Sequence, residues 1–273
     1  MELINNLEDI KRIELNVLKE IDSICRKLNL RYYLGYGTLI GAVRHKGFIP
    51  WDDDVDIVMP RPDYNKLIQY SLSNELPFGL ISHETNNEWN RLYAKAYAKD
   101  TVVFEHDTEN KKQCNNYGVW VDIFPMDGLG DSYESAVKLF KKEKVLLYFY
   151  AVSLLEKFKR NSQRPWYHEP FRFLCYLITR FMRTIYFIKR IEKRCKYDFD
   201  NSAYCGVVFA RYYLKDIISR DVYNESIYID FENDRFIAPG GYDQYLSSIY
   251  GDYMTPPPIE ERVPIHSFDA YYK

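Results

Sequence analysis

The chain has 273 residues, nearly half of them hydrophobic, enough for one large domain or for a domain with an appended lobe. Its formal net charge is −2, and no recognition motif points to a nucleic-acid partner. Five cysteines (Cys25, Cys114, Cys175, Cys195, Cys205) form no C-x-x-C pair and show no metal-ligand spacing. With no positive-then-apolar leader in the first residues, that odd number argues for reduced thiols in a cytoplasmic protein.

Residues 6–29 place Leu7, Ile10, Ile13 or Leu15, Val17 or Leu18, Ile21, Ile24 and Leu28 at three- and four-residue steps, which predicts an amphipathic helix that packs. A short strand at 31–34 leads into a glycine-rich turn. A helix over 38–44 follows, with Thr38 near its N-cap. The unpaired N–H groups of a helix start suit an incoming phosphate, and Gly37 would let the backbone approach it closely. On the glycines alone, an ordinary tight turn is the better explanation of the stretch.

Asp54-Val55-Asp56-Ile57 alternates polar and apolar and continues into Val58 and Met59, so it reads as a strand. Both carboxylates then share one face, roughly 6.5–7 Å apart along the chain. They repel unless a cation sits between them, and a hard divalent ion such as Mg²⁺ or Mn²⁺ takes oxygen ligands and shares them with phosphates. The competing reading is a solvated acidic loop at 51–54. Asp56 argues against it, because an unpaired carboxylate inside an apolar strand is expensive.

Arg61-Pro62-Asp63 opens a further helix that buries Tyr64, Leu67, Ile68 and Leu72 and ends at 74–77. Extended segments are expected at 78–82, 92–98 and 101–105, then a polar loop at 106–117. Lys95 and Lys99 flank the middle strands, either within reach of a nucleotide or solvated. Residues 119–124 read as a buried strand with Val119, Val121 and Ile123 on one face and Trp120, Asp122 and Phe124 on the other. Asp122 is thus either a third site carboxylate or a buried acid satisfied by backbone.

Residues 134–197 read as helical in two parts separated by 161–170. Between Lys138 and Lys196 lie 16 Lys or Arg against 4 Glu and no Asp, a balance of +12, so the rest of the chain bears −14. The run 171–191 is long enough to span a bilayer, yet Arg172, Arg180, Arg183, Lys189 and Arg190 interrupt it. An amphipathic helix at a membrane interface or at an anionic substrate fits, as does a solvated basic face. A hairpin over 227–238 turning at Asn233-Asp234, a helix over 242–250 stopped by Gly251, and a stiff aromatic stretch to Pro258 complete the chain.

Tyr36-Gly37-Thr38 followed by Asp54-Val55-Asp56-Ile57 resembles the nucleotidyltransferase-superfamily pattern. More narrowly, G-T-L-I-G-A-V-R-H-K-G-F-I-P-W-D-D-D-V-D-I-V-M-P-R-P-D-Y, from Gly37 to Tyr64, resembles the LicD family of phosphotransferases. That family includes bacterial choline-phosphate transferases and is related to fukutin-type ribitol-phosphate transferases. Fragments at 119–127 and 250–258 also resemble family motifs; 130–225 does so much less. One departure is Gly37-Thr38, where the superfamily turn commonly has Gly-Gly or Gly-Ser.

The resemblance implies an α+β fold with a nucleotidyltransferase-like mixed sheet flanked by helices and an appended basic helical lobe. The expected division is a catalytic core at 1–130, the lobe at 131–225 and a segment folding back on the core at 226–273. It implies that Asp54, Asp56 and Asp122 hold Mg²⁺ (or Mn²⁺) against the diphosphate of CDP-choline or another CDP-alcohol, with Asp122 also a candidate general base. Gly37, Thr38, Arg44, His45, Lys46 and Lys95 would meet phosphate and nucleotide. Tyr36, Trp51, Arg61 and Tyr253 would meet substrate. The acceptor would be a hydroxyl of a cell-surface glycan precursor, such as a teichoic acid or lipopolysaccharide sugar. A polyprenyl-linked precursor at the inner face of the membrane is one such acceptor, and CMP would be released. Transfer of ribitol- or glycerol-phosphate, nucleotidyl transfer from an NTP, and a non-catalytic glycan- or membrane-binding scaffold are the alternatives.

Overall fold

A computed structural model describes residues 1–4, 6–106, 117–160, 165–195, 197–264 and 266–273. After a two-residue strand β1 (Glu2–Leu3), helix α1 (Leu7–Leu28) starts at Asn6, whose side chain accepts from Asp9 N at 2.6 Å. Glu8 and Asp9 in its first turn and Arg26 and Lys27 in its last oppose the helix dipole favourably. Asn29, in the left-handed region, ends it. Its buried stripe (Ile10, Ile13, Val17, Leu18, Ile21, Cys25) follows the predicted periodicity through its middle, while Leu7, Ile24 and Leu28 are half-buried.

The chain then alternates: β2 (Tyr33–Leu34), α2 (Tyr36–His45), β3 (Asp56–Pro60), α3 (Arg61–Ser73), β4 (Gly79–Ile81), β5 (Ala94–Tyr97), β6 (Thr101–Glu105) and β7 (Trp120–Gly130). Helices α4 (Tyr133–Ser153), α5 (Glu169–Arg180) and α6 (Thr184–Arg194) follow. Last come β8 (Tyr204–Gly206), β9 (Ile218–Ser219), β10 (Ser226–Phe231), β11 (Asp234–Pro239), α7 (Tyr242–Tyr250) and β12 (Phe268–Tyr272).

The central mixed sheet runs β2-β3-β7-β5-β4, and β8 and β9 extend it from the far end of β7. Only β3 and β7 pair in parallel in this sheet among the described residues; the other pairs are antiparallel. A second sheet joins β1, β12 and β6, so the last residues of the chain lie against the first. The main core takes residues from α1, α2, β3, α3 and β7, together with Phe199, Cys205, Phe231, Phe236, Leu246 and Tyr253 from much later in the chain. Cys25, Cys175, Cys195 and Cys205 are free thiols; Cys114 and most of the expected polar loop lie outside the described residues.

Several boundaries differ from the sequence expectation. Helix α2 starts two residues before Thr38, because Gly35 takes the N-cap and Tyr36 adopts φ +42. Strand β3 starts at Asp56, so Asp54 sits in the entering loop, which turns through a bond from Asp52 N to Ile49 O at 3.0 Å. The run 171–191 is two helices, broken at 181–183 where Phe181 N and Met182 N close tight turns onto Ile178 O and Thr179 O. The β10–β11 hairpin turns at Glu232 and Asn233, one residue early, with Glu232 at φ +56.

Candidate active site

Register builds the site. Parallel pairing of β3 with β7 sets Asp56 opposite Asp122, and antiparallel pairing of β7 with β5 sets Asp122 opposite Lys95. Lateral partners in a sheet point to the same face, so the three side chains form a row across three strands. Lys95 Nζ lies 3.1 Å from Asp122 Oδ1 and 3.5 Å from the centre of the Trp120 ring, with the lysine almost fully buried. Asp54 reaches the row from the loop before β3. Asp54, Asp56 and Asp122 each offer a carboxylate oxygen, and these oxygens lie within 4.8 Å of one another.

Such crowding is visible in the acidities. Burial, and then the fields of Asp54 and Asp122, hold the Asp56 carboxyl well above its ordinary range. Burial lifts Asp54 to about 6 and Asp52 to about 8, with neighbouring aspartates adding to both. Burial pushes Lys95 down to about 8 against the pull of Asp122. A set of hard oxygen donors this close, short of positive charge, suits a divalent cation such as Mg²⁺ or Mn²⁺.

The turn before the row acts as its support. Thr38 Oγ1 accepts from Asp56 N at 2.7 Å, fixing the first residue of β3 to the first turn of α2. A Cβ on Gly37 would stand 2.8 Å from Asp52 Oδ2, so glycine leaves room for that carboxylate. Arg44 lines the cavity and donates from Nη1 to Tyr253 O at 2.7 Å, tying the late aromatic stretch to α2. His266 closes one side. Its backbone N donates to Asp53 Oδ2 at 2.9 Å, and its Nδ1 is 3.2 Å from Asp53 Oδ1 and 3.7 Å from Asp54 Oδ2. Burial disfavours a charged ring there, but the Asp53 bond and the nearby carboxylates prevail and raise its pKa.

These groups line a cavity of about 610 Å³. Rings line the cavity beside the carboxylates, with Phe124 two residues along β7 from Asp122 and so on the same face of the sheet. Tyr93, Phe124 and Phe209 pack with centroids 4.8 to 6.3 Å apart. Tyr36 lies 5.5 Å from Phe124 and 6.1 Å from Tyr212, which meets Tyr250 at 5.0 Å. Tyr36 is held by its hydroxyl, which donates to the buried Asp216 at 2.9 Å.

The family pattern described as LicD/FKTN/FKRP, nucleotidyltransferase domain, matches residues 29–163, a span that contains all three carboxylates. The chain is also 27% identical over 274 residues to the lipopolysaccharide cholinephosphotransferase LicD of Haemophilus influenzae, covering 97% of each chain. The chain belongs to the LicD family. A shorter likeness, 45% identity over 47 residues, links this LicD-family protein to the uncharacterized protein RP689 of Rickettsia prowazekii, covering 17% of this chain and 18% of that one.

Of the residues singled out from sequence, Tyr36, Gly37, Arg44, Trp51, Asp54, Asp56, Asp122 and Tyr253 line the cavity. Five do not. Thr38 and Lys95 stand behind the carboxylates as supports. His45 accepts from Arg44 Nε at 2.9 Å on the outer side, and Lys46 is the left-handed C-cap of α2. Arg61, expected at the substrate, is drawn away by Asp127, which it grips through two bonds of 2.7 and 2.9 Å. Asp127 is almost fully buried and requires that counter-charge.

The sequence gives no role to Tyr93, Phe209, Tyr212 or His266, whereas Tyr250 opens the stretch at 250–258 that resembles a family motif. Phe124 was within reach, since strand alternation put it on the face of Asp122. Tyr93 precedes β5, and Phe209 and Tyr212 share the connection between β8 and β9, so no local pattern joins them.

Proposed function

We propose that this LicD-family protein is a metal-dependent transferase that moves phosphocholine from CDP-choline to a hydroxyl of a cell-surface glycan precursor and releases CMP. The observation that carries the reading is the meeting of Asp54, Asp56 and Asp122 in a cavity that aromatic rings also line. The near full-length likeness to a lipopolysaccharide cholinephosphotransferase supports the substrate class. The parallel β3–β7 pair, with a carboxylate on each strand, supports a nucleotidyltransferase-like core.

A divalent cation held by the three carboxylates would neutralise the donor's diphosphate, which is most of what phosphoryl transfer asks of a protein. The chain's own groups do the rest. Lys95 pairs with Asp122 from the protein side, and Asp122 would hold the cation or accept the acceptor's hydroxyl proton. Arg44, which lines the cavity, would meet charge on the departing CMP. A quaternary ammonium has no hydrogen-bond donor and binds to ring faces, which Tyr36, Tyr93, Phe124, Phe209 and Tyr212 present. A ribitol or glycerol head would need hydrogen bonds that such rings offer sparingly.

The test is to incubate pure protein and Mg²⁺ or Mn²⁺ with CDP-choline, CDP-ribitol, CDP-glycerol and nucleoside triphosphates, with a glycan acceptor present. CMP from CDP-choline is the expected product. CMP from CDP-ribitol or CDP-glycerol instead would move the reading to another alcohol phosphate. Pyrophosphate from a triphosphate, or no turnover with any donor, would overturn it.

A further inference from the structure

Helix α5 is turned inside out. Its buried residues are Glu169, Arg172, Cys175 and Thr179, and Arg172 Nη1 donates to Glu169 Oε2 at 2.9 Å beneath it. Its outward stripe is apolar: Phe171 is 59% exposed, Leu174 54%, Ile178 45%, and Phe181, one residue past its end, 92%. Phe173 and Leu177 widen that stripe, and Trp166 and Tyr167 extend it beyond the N-terminus. Single exposed apolar side chains need no cause, but a contiguous patch of this kind marks a surface that something covers.

Charge identifies the covering. The segment from Lys138 to Lys196 holds 16 cations and 4 acids, and two of the acids, Glu143 and Glu169, are buried. Lys159 lies beside α5, its carbonyl accepting from Arg172, and Arg160 follows it; Arg183 follows Phe181 at the other end. All three are exposed. An apolar stripe with cations at both ends and aromatic rings at its margin matches a helix lying in the plane of a lipid surface. At 12 residues α5 is far too short to cross a bilayer, and no helix among the described residues is long and apolar enough to do so.

We propose that α5, with Trp166, Tyr167 and Phe181, docks flat on a bilayer bearing anionic lipid, its stripe at the acyl boundary and Lys159, Arg160 and Arg183 among the headgroups. The docked lobe abuts the candidate active site. Phe209, one of the cavity's rings, also packs with Leu92, Ile188 and Ile191 beneath α6. On the transferase reading above, this would hold the cavity beside a lipid-linked acceptor.

The experiment is co-sedimentation of the full chain with vesicles and no nucleotide, so its outcome is independent of the reaction assignment. Vesicles of phosphatidylcholine alone are compared with vesicles containing roughly a third phosphatidylglycerol. Two variants are measured beside the parent chain, Phe171→Ser/Leu174→Ser/Phe181→Ser and Lys159→Glu/Arg160→Glu/Arg183→Glu. Binding is expected to the anionic vesicles, falling at least about tenfold in each variant while the melting temperature holds. The charge variant alters only exposed side chains, so it keeps the test decisive if the apolar variant folds poorly. The inference is overturned if the parent chain ignores both vesicles, or if a folded charge variant binds as the parent does. It is also overturned if the parent is a dimer without vesicle affinity that the apolar variant makes monomeric, for then a second copy covers the stripe.

Discussion

Asp56 and Asp122 are Cα partners on parallel neighbouring strands, so their carboxylates stand side by side on one face of the sheet. With Asp54 beside them, the folded protein holds like charges together at its own expense.

Replacing one of these acids should therefore separate activity from stability. Asp56→Asn is expected to abolish CMP release while the metal-free protein melts no lower than the parent. Mg²⁺ or Mn²⁺ at about 100 times its dissociation constant should stabilise the parent by about 2.7 kcal/mol and the variant far less. Thermal melts with and without the ion measure this, and a variant stabilised as strongly as the parent would remove Asp56 from the metal set.

Lys95 is the counter-charge of Asp122 inside the protein. Lys95→Met leaves a buried carboxylate unpaired and is expected to cost roughly 3–5 kcal/mol. Adding Asp122→Asn should recover much of that loss, because the stranded charge is gone. Denaturant unfolding of the four chains closes the cycle, and additive losses would mean that the pair is not coupled.

Thr38 serves β3 through its hydroxyl. Thr38→Val strands the Asp56 N–H and should cost about 1–3 kcal/mol, with a fall in turnover. Thr38→Ser keeps the acceptor and should retain both. Equal turnover in the two variants would show that the bond does not hold the carboxylate in place.

Asp216 supplies a pH signature away from the three carboxylates. Burial lifts its carboxyl to about 7, the bond from Tyr36 opposing. Its folded pKa exceeds the unfolded value near 3.9, so between roughly pH 4 and 7 the folded state holds the extra proton. This group's contribution to stability is thus greatest in acid and declines as pH rises through about 7. Asp216→Asn, which cannot ionise, should gain on the parent by about 2–3 kcal/mol between pH 5 and pH 8. Chemical denaturation at both pH values measures the gap, and a constant gap would contradict the shift.

The ring lining makes a substrate-selective prediction. Phe209→Ala should raise KM for CDP-choline by about tenfold, the order of one cation–π contact, and change KM for CDP-glycerol much less. An equal rise for both donors would assign the ring to packing instead.

By itself, the sequence determined what is periodic or contiguous. The 3.6-residue repeat of apolar side chains in α1 and the two-residue alternation around Asp122 are local, and both elements form with the faces that their patterns imply. The motif from Gly37 to Tyr64 is one unbroken stretch, so it pointed to the family and to two of the three carboxylates without any knowledge of tertiary contacts. Tertiary structure alone decided the partners. Strand register set Asp56 and Lys95 on either side of Asp122, and the buried Asp127 drew Arg61 out of the cavity. Chain return brought His266 to Asp53 across 213 positions and gathered rings from distant elements around one cavity. Hydrogen bonds between strands and burial of unlike charges act through space, and the order of residues along a chain does not encode which distant groups will meet.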